Sequence, residues 1–242
     1  MALQPVWKGD EFIVILTGAG ISAESGLGTF RDKDGLWTRY DLNDVATPEG
    51  FARNPVLVQD FYNARRANSR AAQPNAGHHA LTRLQRDWGG DVLIITQNVD
   101  GLHEAAGSTG VLHMHGALDG ALCAACGHRW HAPDVMAVAD ACPACGKPMT
   151  RPDIVWFGEI PYHMDEIWFA LRQCDLFVSI GTSGTVYPAA AFAQDASRAG
   201  AHCIEINAEA SAVAGDFDEV VLGPASQSVP DWVDALLKGA GR

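Results

Sequence analysis

The stretch Leu16-Thr-Gly-Ala-Gly-Ile-Ser-Ala-Glu-Ser-Gly-Leu-Gly-Thr-Phe-Arg-Asp-Lys-Asp-Gly-Leu-Trp37 decides how the rest of the chain is read. It grows out of Phe12-Ile13-Val14-Ile15-Leu16, a short, uncharged, β-branched run of the kind that forms a strand buried on both faces. Gly18-Ala19-Gly20-Ile21-Ser22-Ala23 then matches the dinucleotide pattern G-x-G-x-x-G/A, with Ala23 in the third small position. In that pattern Gly18 permits the tight turn, Gly20 brings backbone N–H groups up to a pyrophosphate, and Ala23 lets the next helix pack on the sheet. A Gly-rich turn with no ligand would be spelled the same way. The continuation separates the two readings. Ser25-Gly26-Leu27-Gly28-Thr29-Phe30-Arg31 puts two glycines where a dinucleotide fold runs on as plain helix, so the helix is expected to break early into a loop bearing an aromatic and a cation.

Outward from this stretch the chain alternates. Val56–Arg70 has helical spacing, with Val58, Phe61, Tyr62 and Arg65 on one face. Asn75 is placed to cap a helix through Leu81, Leu84 and Trp88, and Gly89-Gly90 ends it before the apolar run Val92–Thr96. Short strands are expected at Val111–His113 and Ile154–Phe157, a helix over Met164–Cys174, and a strand over Leu176–Ile180. A helix over Pro188–Arg198, strands over His202–Ile206 and Val220–Leu222, and a helix over Pro230–Leu237 complete the pattern. Strands alternating with helices predict an α/β fold, a doubly wound parallel sheet with helices on both faces. Ligands in such sheets bind beyond the carboxyl ends of the strands. Small and polar residues cluster at four of those ends: Gly18–Ser22, Thr96–Asp100, Gly181–Gly184 and Asn207–Glu209.

Composition narrows the class. With 242 residues, 48% hydrophobic and 19% charged, the chain is that of a globular protein able to bury a sizeable core. A net charge of −12 weighs against binding nucleic acid by phosphate neutralisation. Met1–Asp10 has no apolar stretch of the export-signal kind and no run is long enough to span a membrane, so a cytoplasmic location is expected. Of six cysteines, Cys174 and Cys203 sit alone in or beside apolar segments and read as packed core. The other four form Cys123-x-x-Cys126 and, fifteen residues on, Cys142-x-x-Cys145. That spacing points to a closed four-thiolate zinc site, structural because no coordination position is left open. Two disulfides are the alternative, disfavoured in a reducing compartment.

Four further segments carry polar groups suited to catalysis or binding. Gln97-Asn98-Val99-Asp100 follows an apolar strand, and Asn98 and Asp100 together can satisfy a carboxamide. His113-Met114-His115-Gly116 closes the next strand and offers two candidate bases, each neutral near pH 7 if unperturbed. Gly181-Thr182-Ser183 and Asn207-Ala208-Glu209 end later strands.

Taken together these motifs resemble those of the sirtuins, NAD-dependent protein deacylases. The opening stretch is similar to the family form GAGxSxxSGIPxFR, with Gly28 and Thr29 departing from its Pro and Asp. Thr96–His103 resembles TQN(I/V)DxLH, His115-Gly116 its HG and Gly181–Ser183 its GTS, and the likeness extends to Ala225. The resemblance implies a Rossmann-like domain (about residues 1–40, 75–117 and 151–242) with a helical insertion at about 41–74 and a zinc module at about 118–150. It implies NAD consumed as a co-substrate, one structural zinc, and acylated-lysine proteins as partners, in a chain for which a monomer is plausible. His115 would be the general base, with His113 its rival. Gly18, Ala19, Gly20, Ile21, Ser22, Phe30, Arg31, Trp37, Gln97, Asn98, Val99, Asp100, Gly181, Thr182, Ser183, Asn207, Ala208, Glu209 and Ala225 would contact NAD. Val155, Phe157, Gly158 and Val186 would flank the peptide, which adds itself as a strand.

Tyr62-x-x-Arg65 resembles the branch of the family that removes succinyl and related acidic groups, with Ala46 as a small residue enlarging the acyl pocket. The products implied are free lysine, nicotinamide and O-acyl-ADP-ribose. A mono-ADP-ribosyltransferase using the same NAD site is the alternative. A cycling dehydrogenase fits the glycine pattern but explains neither the cysteine pairs nor the loop after Ser25.

Overall fold

The computed structural model describes residues 7–28 and 40–240. Its strands are β1 (Ile13–Thr17), β2 (Val92–Thr96), β3 (Leu112–His113), β4 (Gly116–Cys123), β5 (Arg129–His131), β6 (Thr150–Ile154), β7 (Leu176–Ile180), β8 (His202–Asn207) and β9 (Glu219–Leu222). Its helices are α1 (Ala19–Ser22), α2 (Leu42–Val45), α3 (Pro48–Arg53), α4 (Pro55–Ala71), α5 (Ala76–Asp87), α6 (Leu102–Ala105), α7 (Met164–Leu171), α8 (Phe192–Ala199) and α9 (Ala225–Ala240).

Six strands pair in the order β3-β2-β1-β7-β8-β9, every pair parallel. Because side chains alternate along a strand, the apolar runs feed two layers at once. Ile13, Ile15, Ile94, Val178 and Ile204 face Leu81, Leu84, Val229 and Val233 of α5 and α9. Val14, Leu16, Phe177 and Cys203 face Ile167, Leu171, Phe192 and Ala196 of α7 and α8. Both lone thiols, Cys174 and Cys203, are packed in this second layer. Each fully buried Ile, Leu or Phe contributes about 1.5–3 kcal/mol, so these two layers dominate the folding free energy. The doubly wound sheet is the one expected. Its order turns back at β1, which lies between β2 and β7, so the crevice for a ligand opens there.

Several boundaries differ from the sequence reading; the helix expected over Met164–Cys174, for one, ends at Leu171. The strand expected at Ile154–Phe157 lies at Thr150–Ile154, because it pairs antiparallel with β4 and not with the large sheet. The segment from Pro188 begins as a 3₁₀ turn, Ala189–Ala191, before α8. Helix α9 starts at Ala225 and runs through Pro230, where a proline was expected to mark the first turn. Glu24 accepts bonds from the Ser226 N–H and hydroxyl, which supports this earlier start by occupying a first-turn donor.

The second sheet, β5-β4-β6, is small and antiparallel. Helix α4 lies against it, and the three helices α2–α4 each begin at a polar cap. Asp41, Thr47 and Asn54 accept from the N–H groups of Asn43, Gly50 and Leu57, with Pro48 and Pro55 in the first turns of α3 and α4. Arg66 of α4 is 1% exposed and donates from Nε to the Leu118 carbonyl at 2.6 Å and from Nη1 to Asn63 at 2.8 Å. Gln59 donates to the Thr150 carbonyl at 3.0 Å. These bonds tie the helical insertion to the small sheet around Val45, Ala46, Val58, Phe61, Tyr62, Leu118, Ile154 and Trp156.

At the far end of this sheet the four cysteines converge. Their sulfurs all lie within 4.8 Å of one another, with Cys123–Cys145 at 3.7 Å and Cys126–Cys142 at 3.8 Å. Zn–S bonds of about 2.3 Å in a tetrahedron put sulfurs about 3.8 Å apart, so the donor set and its spacing fit zinc. A disulfide would need about 2.05 Å, which sets the alternative aside. Each pair is a knuckle closed by an N–H bond from Gly127 to Cys123 O and from Gly146 to Cys142 O, with both glycines at positive φ. Cys123→Ser is expected to lose stoichiometric zinc and lower the unfolding temperature, because binding at a closed Cys₄ site is itself folding free energy. Metal analysis alongside thermal melts checks this; a fully stable, zinc-free variant would overturn it.

Candidate active site

The two glycine loops meet at the crevice. Gly18 N–H bonds the Ile180 carbonyl and Gly20 N–H the Gly181 carbonyl, both at 2.9 Å. A Cβ on Gly20 would stand 2.6 Å from Gly181 Cα, and one on Gly181 2.5 Å from Ile21 N. Glycine at 20 and 181 is therefore demanded by the crossing of two loops. The N–H groups of Gly18 and Gly20 are both committed to these carbonyls. Helix α1 has only four residues and passes through a 3₁₀ turn into Gly26 at φ 83°, so the early break expected after Ser25 is present. Phe30, Arg31 and Trp37 lie outside the described residues.

Beneath these loops lies a dense polar network. Ser22, 2% exposed, donates to Asp100 Oδ2 at 3.1 Å and accepts from Asn98 Nδ2 at 3.2 Å. Asn98 Nδ2 also reaches the Gly18 carbonyl at 3.1 Å. Its Oδ1 has no partner among the described residues, which leaves one amide acceptor turned to the crevice. Burial raises the Asp100 pKa, against the bonds it accepts from Leu102 N–H and Ser22. An open amide oxygen beside a carboxyl offers acceptors for the two N–H groups of a carboxamide, so these residues fit the nicotinamide end of NAD.

Four histidines surround the crevice, and each one's partners fix its protonation. His78 Nδ1 accepts from Asn75 N–H at 3.3 Å, which leaves its proton on Nε2, 3.5 Å from Ser22 Oγ; burial lowers its pKa to about 3. His103 Nε2 donates to Thr17 Oγ1 at 2.9 Å, since Thr17 spends its own proton on Thr96. Burial lowers the His103 pKa to about 4. His115 Nδ1 lies 3.1 Å from the Gln97 carbonyl, an acceptor only, so the proton is on Nδ1. Burial also lowers the His115 pKa, so its ring is neutral and Nε2 keeps a lone pair with no partner among the described residues.

His113 differs. Its Nδ1 faces the Asn98 carbonyl at 3.2 Å and its Nε2 faces Glu104 at 2.9 Å, two acceptors that require two protons. Burial acts to lower its pKa, but Glu104 outweighs burial and holds it above the ordinary value. Between the two rivals only His115 has a lone pair to offer.

Other predicted residues fall around the same crevice. Gln97, Ser179, Thr182, Gly184 and Val186 line one small cavity at the carboxyl ends of β2 and β7. Asn207 does not present a free amide: its Nδ2 donates to the Thr182 carbonyl at 2.7 Å and to Glu205 at 3.1 Å, and its Oδ1 accepts from Ala208 N–H. It ties the β7 and β8 loops together. Ala208 and Glu209 are exposed beyond β8, Ser183 and Val99 half-buried, and Ala225 opens α9. Ile21 is buried in the core layer beneath α1, with Ala19 half-buried before it.

On the other side of His115, Val155 N–H bonds the His115 carbonyl and Phe157 N–H the Ala46 carbonyl, each at 2.9 Å. Phe157 and Gly158 are exposed along this edge. Ala46 and Tyr62 share one buried cluster, and the Arg65 guanidinium stands 5.8 Å from the Tyr62 ring. Burial acts to lower the Arg65 pKa while Tyr62 and Asp100 act to raise it, and a guanidinium remains charged. The sequence reading missed His78, whose role in the network depends on a fold contact to Ser22, 56 positions away. It also passed over Arg151, which lies over the Trp156 ring and pairs with Glu159, while the Trp156 indole donates to Tyr62.

Comparison with known proteins bears on this arrangement as a whole. The model of the Sir2 family matches residues 18–188, from the first glycine loop to the segment past the second. A protein of Caulobacter vibrioides called NAD-dependent protein deacylase is 57% identical over 229 residues, covering 93% of this chain and 96% of the relative. A solved Sir2 homologue in complex with NAD superposes with a TM-score of 0.87 at 37% identity, covering 95% of this chain and 90% of that one. Sir2Af2 bound to a myristoylated histone peptide superposes with a TM-score of 0.71 at 31% identity, covering 94% and 91%. A crossing of glycine loops over a buried Asn–Asp–Ser network, a four-thiolate sheet and likeness across nearly the whole length lead to one conclusion: the chain belongs to the Sir2 family.

Proposed function

We propose that this NAD-dependent protein deacylase removes both acetyl and succinyl groups from lysine, releasing nicotinamide and O-acyl-ADP-ribose. The observation that carries the reading is the free Nε2 lone pair of a neutral His115, fixed by the Gln97 carbonyl on the opposite nitrogen. When bound, NAD supplies the ADP-ribosyl group that receives the acyl group in exchange for nicotinamide. Asn98 and Asp100 orient the carboxamide through the open Oδ1 and the adjacent carboxyl. His115 Nε2 takes a proton from a hydroxyl, which turns that hydroxyl into the nucleophile the acyl transfer needs. The acyl-lysine peptide lies along Val155–Gly158, with Val186 opposite. Since the N–H groups of Val155, Trp156 and Phe157 are already bonded within the chain, the peptide draws on carbonyls of this edge.

For the acyl end, Arg65 supplies a planar cationic fork and Tyr62 a hydroxyl, spaced i and i+3 on α4. Burial raises the Tyr62 pKa, so its hydroxyl keeps a proton to donate. Ala46, in the same cluster, leaves room for the longer chain. Nothing in this arrangement walls off a shorter acyl group.

Three outcomes are expected. His115→Ala lowers deacylation by about 10²–10⁴-fold while NAD affinity and the melting temperature are retained; equal damage to all three would make His115 structural. The acid limb of kcat/KM, where His115 gains a proton and loses its lone pair, falls with a midpoint below about 6.5. A limb centred above the ordinary histidine value would point to His113, whose pKa is shifted upward. Arg65→Met lowers desuccinylation relative to deacetylation by at least about tenfold, because a charge-assisted bond is worth about 1.5–3 kcal/mol. Paired kinetics on acetyl- and succinyl-lysine peptides decide it; a parallel fall in both activities, or succinyl peptides inert with the native enzyme, would refute the clamp.

A further inference from the structure

Tyr62 and Trp156 are 94 positions apart in sequence and are 1% and 3% exposed. The indole Nε1–H donates to Tyr62 Oη at 3.0 Å. An indole N–H can only donate, so this bond uses a lone pair of the hydroxyl and leaves its proton unspent. Among the described residues nothing accepts that proton. A buried hydroxyl whose proton has no acceptor costs free energy, which an ordered water or a bound ligand can relieve.

The indole is itself held from three sides. The Arg151 guanidinium lies over its ring, 3.5 Å from the centroid, close enough for cation–π attraction. Arg151 is fixed by a two-pronged pair to Glu159, Nη1–Oε1 at 2.7 Å and Nη2–Oε2 at 2.9 Å, and by a bond to the Ile154 carbonyl at 2.7 Å. Glu159 Oε2 also accepts the Trp156 backbone N–H at 2.8 Å. Phe51 packs on the indole at a centroid distance of 5.2 Å. Such bracing exceeds what an apolar filler requires, and it aims the indole N–H at one atom.

We propose that Trp156, braced by the Arg151–Glu159 pair, is a positioning residue for acyl selectivity. By occupying a lone pair of Tyr62 Oη it turns the hydroxyl proton toward the terminal carboxylate of an acidic acyl chain. The inference rests on the reading that Tyr62 and Arg65 hold that carboxylate. An acetyl group has no carboxylate to receive the proton, so the orientation is felt by one substrate and not the other. Trp156 touches neither NAD nor the reacting atoms; it acts through Tyr62.

The experiment compares kcat/KM for succinyl- and acetyl-lysine peptides in the native enzyme, Trp156→Phe, Tyr62→Phe and the double variant. Trp156→Phe is expected to lower the succinyl-to-acetyl ratio by about three- to tenfold, the worth of one oriented hydrogen bond. In the Tyr62→Phe background the same change should leave the ratio where Tyr62→Phe put it, since the two act through one bond. If Trp156→Phe folds poorly, a benzothiophene analogue of tryptophan at position 156 keeps the ring shape without the N–H and should give the same loss. An unmoved ratio in Trp156→Phe, with Tyr62→Phe and Arg65→Met still lowering it, overturns the role of Trp156 and leaves the clamp standing. Equal losses on both peptides in Trp156→Phe make it structural and overturn the inference as well. Equal losses on both peptides in Tyr62→Phe and Arg65→Met remove the clamp, and the inference falls with it.

Discussion

The crossing of two backbones at the carboxyl ends of β1 and β7 sets the geometry on which the site depends. Gly20 and Gly181 approach so closely that any side chain at either would overlap main-chain atoms of the other loop. Two N–H···O bonds lock the crossing, and they draw Ser22 down to Asn98 and Asp100 at the end of β2. A parallel sheet gathers strand ends on one edge, and the reversal of strand order beside β1 opens space there. The glycines thus serve packing first, and the crevice follows from it.

Within that crevice chemistry is divided by burial. His78 and His103, deep behind the loops, are held neutral and spend their protons on Ser22 and Thr17. His113 lies within reach of Glu104 and stays the more basic of the strand-end pair. His115, two positions on, has among the described residues only a carbonyl for a side-chain partner and so keeps a lone pair. One residue type performs three tasks because its neighbours, not its own chemistry, decide where the protons sit.

The smaller module extends the site on its other side. Arg66 and Gln59 fasten α4 to strands β4 and β6, and β4 ends in the first zinc-binding cysteine. The metal knuckles therefore anchor a sheet whose strand β6 runs from Thr150, opposite Cys123, to Ile154, two residues before Trp156. The Val155–Phe157 edge is anchored in turn on the carbonyls of His115 and Ala46, so His115, Ala46 and this edge are parts of one frame.

Much of this architecture is legible in the amino-acid sequence alone. The runs Phe12–Leu16, Val92–Thr96 and Leu176–Ile180 are too apolar and too short to be other than buried strands, and each lies at or within a residue of its strand in the large sheet. The cysteine spacing names its metal because four thiolates at that separation have few other uses, and the sirtuin motifs carry the family across nearly the whole length. Where the sequence reading went astray, the deciding partner was remote. Thr150–Ile154 became a strand because β4 lies beside it, and α9 began early because Glu24 caps it from across the fold. That His115 and not His113 keeps an open ring nitrogen follows only from the positions of Gln97, Asn98 and Glu104 around two rings that look equivalent in the sequence. Trp156 gives no sign in the sequence of its bond to Tyr62. Periodicity and spacing record what a residue does with near neighbours in the chain; proton positions and braced side chains depend on contacts between distant segments, which only the folded chain brings within hydrogen-bonding range.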